Sequence, residues 1–174
     1  WVALRATTDL DVPLIEAVLD RTSSIARGSS VGASDVQVLS ANVDVVFVVH
    51  PIAQAPNLRR IERELSLAWE SGARPVVVLT KADLSADVEM ACRGVEEVAF
   101  GVDVVATNAL TTDGARPLTD FIVSRHTAVL IGPSGAGKST LVNALLGEAR
   151  QATREVRLGD GRGRHTTVVR ELIA

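Results

Sequence analysis

The 174-residue sequence predicts an α/β fold, a parallel sheet covered by helices on both faces. Three observations predict it. Short apolar runs rich in β-branched residues alternate with amphipathic stretches from Val43 to Leu146. A glycine-rich loop joins the last apolar run, Ala128 to Ile131, to a helical pattern. No repeat or low-complexity tract breaks the alternation, and 47% of the residues are hydrophobic, enough for a core.

Residues 1 to about 33 read as β-structure. Val2 and Leu4 alternate with positions expected to be exposed, and Pro13 to Leu19 reads as a strand or a short helix. Arg21-Thr22-Ser23-Ser24 and Gly28 to Gly32 are polar punctuation, and the strands are too few to close a barrel. From Gln37 the pattern changes. Val43 to Val49 is almost wholly apolar and reads as a core strand. Asn57 is suited to cap a helix through Glu70, with Leu58, Ile61, Leu65, Ala68 and Trp69 on one face and Gly72 ending it. Pro75 to Leu79 is the next strand. Ser85 opens a helix carrying Val88, Met90, Ala91 and Val95. Val102 to Ala106 reads as a strand and Asn108 to Gly114 as a loop. Leu118, Phe121 and Ile122 mark a further helix. Ala128 to Ile131 reads as a strand buried on both faces. After Gly147 the chain turns polar, a mobile loop is expected, and Val168 to Leu172 reads as a short strand.

Composition narrows the function. The net charge of −3 and the few aromatics, without a Tyr, argue against a nucleic-acid-binding or base-stacking surface. No unbroken apolar run reaches the roughly 18 residues that cross a bilayer. The single Cys92 excludes an internal disulfide and a cysteine-rich zinc site, and fits a reducing cytoplasm. Trp1 to Arg5 has neither an initiator Met nor a signal-peptide layout, so the chain reads as cut from something longer. Of the 18 basic residues only Lys81 and Lys138 are lysines, and both fall inside the motifs below. A compact ammonium is needed there, and a planar guanidinium is a poor substitute.

Gly132-Pro133-Ser134-Gly135-Ala136-Gly137-Lys138-Ser139 fits G-x-x-x-x-G-K-[ST] at every fixed position. Backbone N–H groups wrap a phosphate chain, and glycines let them come close. The following helix turns its positive end to the same phosphates. Lys138 is expected on the β and γ phosphates and Ser139 on Mg²⁺. Leu141, Val142, Leu145 and Leu146 continue at helical spacing, and Gly147 is a C-cap candidate.

Thr80-Lys81-Ala82-Asp83 closes an apolar strand, at the end where parallel sheets bind ligands. A carboxylate there can accept from the N1–H and exocyclic amine of guanine. Adenine offers no donor at N1. Such a site rejects the wrong base by factors on the order of 10⁴, because its carboxylate is left unpaired. The stem of Lys81 would lie over the base. Asn108-Ala109 ends the next strand, which strengthens the nucleotide reading. The base motif precedes the phosphate motif, the reverse of the ordinary guanine-nucleotide order. A sheet closes the same site wherever its chain is opened, so the order implies a circularly permuted GTPase.

With these motifs, Arg21-Thr22-Ser23-Ser24, Ala41-Asn42-Val43-Asp44, Thr80 to Leu84, and above all Gly163-Arg164-His165-Thr166-Thr167, the chain resembles the ribosome small-subunit-dependent GTPase A family (RsgA, also called YjeQ). The resemblance implies a three-layer P-loop NTPase sheet in a circularly permuted G domain, residues 34–174. A partial N-terminal β-barrel (OB-fold) remnant would occupy residues 1–33. It implies GTP hydrolysis to GDP and phosphate in late small ribosomal subunit assembly. Thr80, Lys81, Ala82 and Asp83 would read guanine, Asn108 and Ala109 would form a second base-contacting loop, and Gly132 to Thr140 would be the phosphate cradle. Thr166 or Thr167 would complete the Mg²⁺ shell. Lys138 and, in the switch, His165 would serve catalysis, His165 by placing the attacking water. Arg162, Arg164 and Arg170 beside it suit rRNA phosphates.

The partners implied are the 30S subunit and its rRNA, for a monomeric, cytoplasmic, bacterial protein without a membrane segment. Zinc is implied only for the family's C-terminal domain, whose ligands this chain lacks. The Asp-x-x-Gly element expected after the switch is also missing, since the chain ends first; Asp160-Gly161-Arg162-Gly163 matches it by letters but has no apolar strand before it and reads as loop. Its absence puts hydrolysis by this stretch alone in question. The competing readings are a P-loop ATPase or kinase, and a nucleotide-binding fragment without turnover.

Overall fold

A computed structural model describes residues 1–6, 12–27, 37–53, 55–148 and 173. Strands β1 (Val2–Arg5) and β2 (Leu14–Val18) form an antiparallel pair with an irregularity between Ala3 and Leu4. Pro13 to Leu19 is therefore a strand and not a helix. Its side chains and those of its partner stay largely exposed, Ile15 and Val18 included, so the alternation at Val2 and Leu4 does not mark a buried face here. This pair neither shows nor excludes a barrel. A second antiparallel pair joins β3 (Ser24–Arg27) to β4 (Gln37–Ala41). Ile25 of β3 packs into the main core below.

The site is built on a parallel sheet. Its strands are β5 (Val45–Pro51), β6 (Arg74–Thr80), β7 (Asp103–Ala106) and β8 (Ala128–Ile131), in the spatial order β7-β6-β5-β8. The last of the described strands, β8, thus lies beside the first of this sheet, and both run the same way. Val46, Val48, Val77 and Leu79 face one buried cluster; Val45, Phe47, Val49, Val76 and Val78 face the other. That alternation follows from the period of two along a strand. β8 is only half-buried, against the expectation of burial on both faces. Among the described residues it has one hydrogen-bonded neighbour, β5.

Helix α1 (Leu58–Glu70) covers the first cluster with Ile61, Leu65 and Ala68. The Asn57 side chain accepts from the Arg60 N–H at its start, as a cap should. Trp69, expected on that face, is instead 55% exposed: it falls in the last turn, where the chain leaves the sheet. Helix α2 (Val88–Glu96) begins at Asp87, not Ser85, because the Asp87 carboxylate accepts from the Met90 N–H. Met90 is exposed and Val95 carries the burial. Only Arg116–Thr119 (α3) of the helix expected near Leu118 is regular. Leu118 still fills the second cluster, and Phe121 meets Phe47 edge to face. Helix α4 (Lys138–Leu146) ends at Gly147. None of the helices described is long and apolar enough to cross a membrane.

Candidate functional site

Three loops leave the C-terminal ends of neighbouring strands. Leu79 of β6 is paired with His50 of β5 and Ala106 of β7, and Val48 of β5 with Ile131 of β8, so the loops after β6, β7 and β8 open on one edge of the sheet. Each sequence motif occupies one of them.

After β8 the chain folds as Gly132 to Gly137 and enters α4 at Lys138. Gly132 has φ 140°, and a Cβ there would run into the Val49 carbonyl of β5. Gly137, at φ 93°, takes the N-cap position of α4. Only glycine meets both demands. Ala136 is fully buried and fixes the loop in the core. The Lys138 ammonium turns back on its own loop, donating to the carbonyls of Gly132 (2.9 Å) and Pro133 (2.7 Å). Burial pushes its pKa down, the Glu64 charge pushes it up, and Arg60 again lowers it; the balance lies below the ordinary lysine value. Ser134 and Gly135 are exposed, and Ser139 and Thr140 are half-buried at the helix start.

After β6, Lys81 takes a left-handed conformation (φ 59°, ψ 41°), and Ala82 to Leu84 form a single 3₁₀ turn. That turn presents Asp83 exposed, with Lys81 half-buried. Thr80 ties this loop to the cradle: its buried hydroxyl donates to the Ala136 carbonyl at 2.5 Å and lies 3.4 Å from the His50 carbonyl. The loop after β7 joins in from the other side. Ala82 N–H donates to the Thr107 carbonyl (3.3 Å) and Thr107 N–H to Leu79 (2.8 Å). Asn108 shapes its own loop, its side chain accepting from Leu110 N–H and its carbonyl from the Thr111 hydroxyl. Thr107 Oγ1 donates to the Gly114 carbonyl and closes the turn.

Thr80 to Asp83, Asn108 to Ala109 and Gly132 to Thr140 therefore share one edge of the sheet. His165, Thr166, Thr167 and the arginines around them lie outside the described residues. So do Asp160 to Gly163 and the strand expected at Val168 to Leu172.

Outside these motifs, His50 near the end of β5 meets Glu64 of α1. His50, 2% exposed, places Nε2 2.7 Å from Glu64 Oε2, and Arg60 Nε donates to Oε1 at 2.9 Å. Burial pushes the Glu64 carboxyl up, but hydrogen bonds and charge from His50 and Arg60 outweigh it and hold it below its usual value. The i,i+4 spacing of Arg60 and Glu64 was readable. The strand-to-helix partner, His50, was not.

A glycine cradle at a helix start, packed on a parallel sheet, defines an α/β P-loop nucleotide-binding domain. The model of the RsgA GTPase family matches residues 18–174, and the chain belongs to that family. It is 41% identical over 173 residues to the small ribosomal subunit biogenesis GTPase RsgA 2 of Lactiplantibacillus plantarum, covering 99% of this chain and 49% of the relative. Its identity to the small ribosomal subunit biogenesis GTPase RsgA of Streptomyces coelicolor is 49% over 163 residues, covering 92% of this chain and 44% of the relative. The crystal structure of YjeQ from Thermotoga maritima superposes with a TM-score of 0.61 at 26% identity, covering 89% of this chain and 48% of that one. The chain thus spans about half the length of the curated relatives it matches.

Proposed function

We propose that this chain binds guanine nucleotides on a circularly permuted G domain and, within its longer protein, hydrolyses GTP to GDP and phosphate. The observation that carries the reading is the Thr80 hydrogen bond to Ala136, which joins the base-reading loop to the phosphate cradle. Asp83 accepts from guanine, Lys81 covers the base, and Asn108-Ala109 borders it. The residues fit a phosphate chain: Gly132 and Gly137 leave room where a side chain would intrude, and Lys138 offers a half-buried ammonium. Ser139 would hold Mg²⁺ together with phosphate oxygens, and Thr166 or Thr167 would complete that shell. The metal, when bound, neutralises charge developing on the phosphates. Lys138 orients the phosphates and stabilises that charge, and His165 places the attacking water.

Residues 1–33 are read as the remnant of a β-barrel, and residues 34–174 as the G domain. The relatives' names point to small ribosomal subunit biogenesis as the setting. On this reading the partners are the subunit and its rRNA, and the protein is monomeric and cytoplasmic.

Fluorescent GDP and ADP titrations test the base reading. GDP is expected to bind at least ~100-fold tighter than ADP. Asp83→Asn should reduce that preference and admit xanthine nucleotides. Equal affinity for GDP and ADP would overturn the guanine assignment. Turnover by the full-length protein should rise on adding small ribosomal subunits; a flat response would remove the assembly role.

A further inference from the structure

Thr107 belongs to none of the nucleotide motifs, yet it joins two of them. It follows β7 and is 4% exposed. Its N–H donates to the Leu79 carbonyl of β6 (2.8 Å), and its own carbonyl accepts from Ala82 N–H (3.3 Å), in the turn that presents Asp83. Its hydroxyl reaches seven residues forward and donates to the Gly114 carbonyl. Gly114 suits this closure because it has no side chain: a Cβ built there would stand 1.7 Å from the Asn108 carbonyl oxygen. Inside the closed loop, the Asn108 carbonyl accepts from the Thr111 N–H (3.1 Å) and hydroxyl (3.0 Å), and the Thr111 carbonyl accepts from Gly114 N–H (3.0 Å). Ala109 packs against the second core cluster. The loop is thus pinned at both ends by the protein's own bonds.

We propose that Thr107 and Gly114 form a clasp that positions the Asn108-Ala109 loop against the Asp83 turn, so that Thr107 is a positioning residue for the base. This rests on the reading of Thr80 to Asp83 and Asn108-Ala109 as the base-binding edge. A loop already held in its binding conformation need not be ordered when the ligand arrives, and the avoided entropy loss appears as affinity. Valine in place of Thr107 keeps the shape and deletes the donor. The Gly114 carbonyl then loses that partner, and the loop gains freedom that the nucleotide must remove. The bonds of Thr107 go to β6, to the Asp83 turn and to its own loop, and none reaches Gly132 to Thr140. The cradle is tied to β6 through Thr80 instead. The clasp therefore acts on the base and leaves phosphate binding alone.

The experiment titrates GDP and inorganic pyrophosphate by calorimetry into the full-length protein and its Thr107→Val, Thr107→Ser and Gly114→Ala variants. Thr107→Val should weaken GDP on the order of tenfold and leave pyrophosphate unchanged. Thr107→Ser keeps the hydroxyl and should stay within about twofold of the unaltered protein. Gly114→Ala must push the Asn108 carbonyl aside and should repeat the valine pattern; it carries the test if Thr107→Val fails to fold. Unchanged GDP affinity in Thr107→Val or Gly114→Ala, an equal loss for pyrophosphate, or a serine variant as weak as the valine one would overturn the proposal. An unaltered protein that binds ADP as well as GDP would refute the guanine reading alone, because the clasp is read on the ratio of nucleotide to pyrophosphate affinity.

Discussion

The Thr80 hydroxyl ties the end of β6 to the glycine loop before α4 through the Ala136 carbonyl. Thr80→Val keeps the shape and removes the donor. It leaves the carbonyl of fully buried Ala136 without that partner, which typically costs about 1–3 kcal/mol. Urea unfolding should register that loss, and GDP affinity should fall with it, since the cradle is no longer tied to β6. A variant with wild-type stability and affinity would show that backbone contacts alone hold the two loops together. Glu64 works differently, because its partners, His50 and Arg60, satisfy it locally.

At the level of elements, α1 depends on its start. Asn57 supplies an acceptor for the Arg60 N–H, and no acidic residue occupies the first turn to assist. Asn57→Ala is expected to cost about 1 kcal/mol in chemical denaturation. The elements also show what a sequence can disclose. The run Val43 to Val49 could hardly be anything but a central strand, and Gly132 to Ser139 is dictated residue by residue by phosphate chemistry. Both are local demands. What escaped reading depends on contacts between distant segments. The exposure of Trp69 follows from where α1 leaves the sheet. The half-burial of β8 follows from its neighbours. The choice of Asp87 over Ser85 as a cap was decided by which acceptor reaches the Met90 N–H. His50 and Glu64 meet across a strand and a helix, where no periodicity links them. On β1 and β2, apolar alternation was legible but what it faces was not.

For the whole molecule, the order β7-β6-β5-β8 divides the sheet by sequence distance. β5, β6 and β7 pair with the strand just before or after them in the chain. β8 instead returns to β5, and Thr127 N–H bonds the Asp44 carboxylate across 83 residues. Long-range pairings of this kind close slowly, after the local ones. During synthesis from the N-terminus, the guanine-reading half of the sheet can assemble while the phosphate half is still being made. Nascent chains stalled before α4 emerges should therefore fail to retain GDP, and chains released past Gly147 should gain it in one step. Stepwise gain of binding from shorter chains would contradict this. On the proposed reading, the order in which the loops are encoded acts as a timer: the chain can hold its nucleotide only once β8 and α4 have left the ribosome.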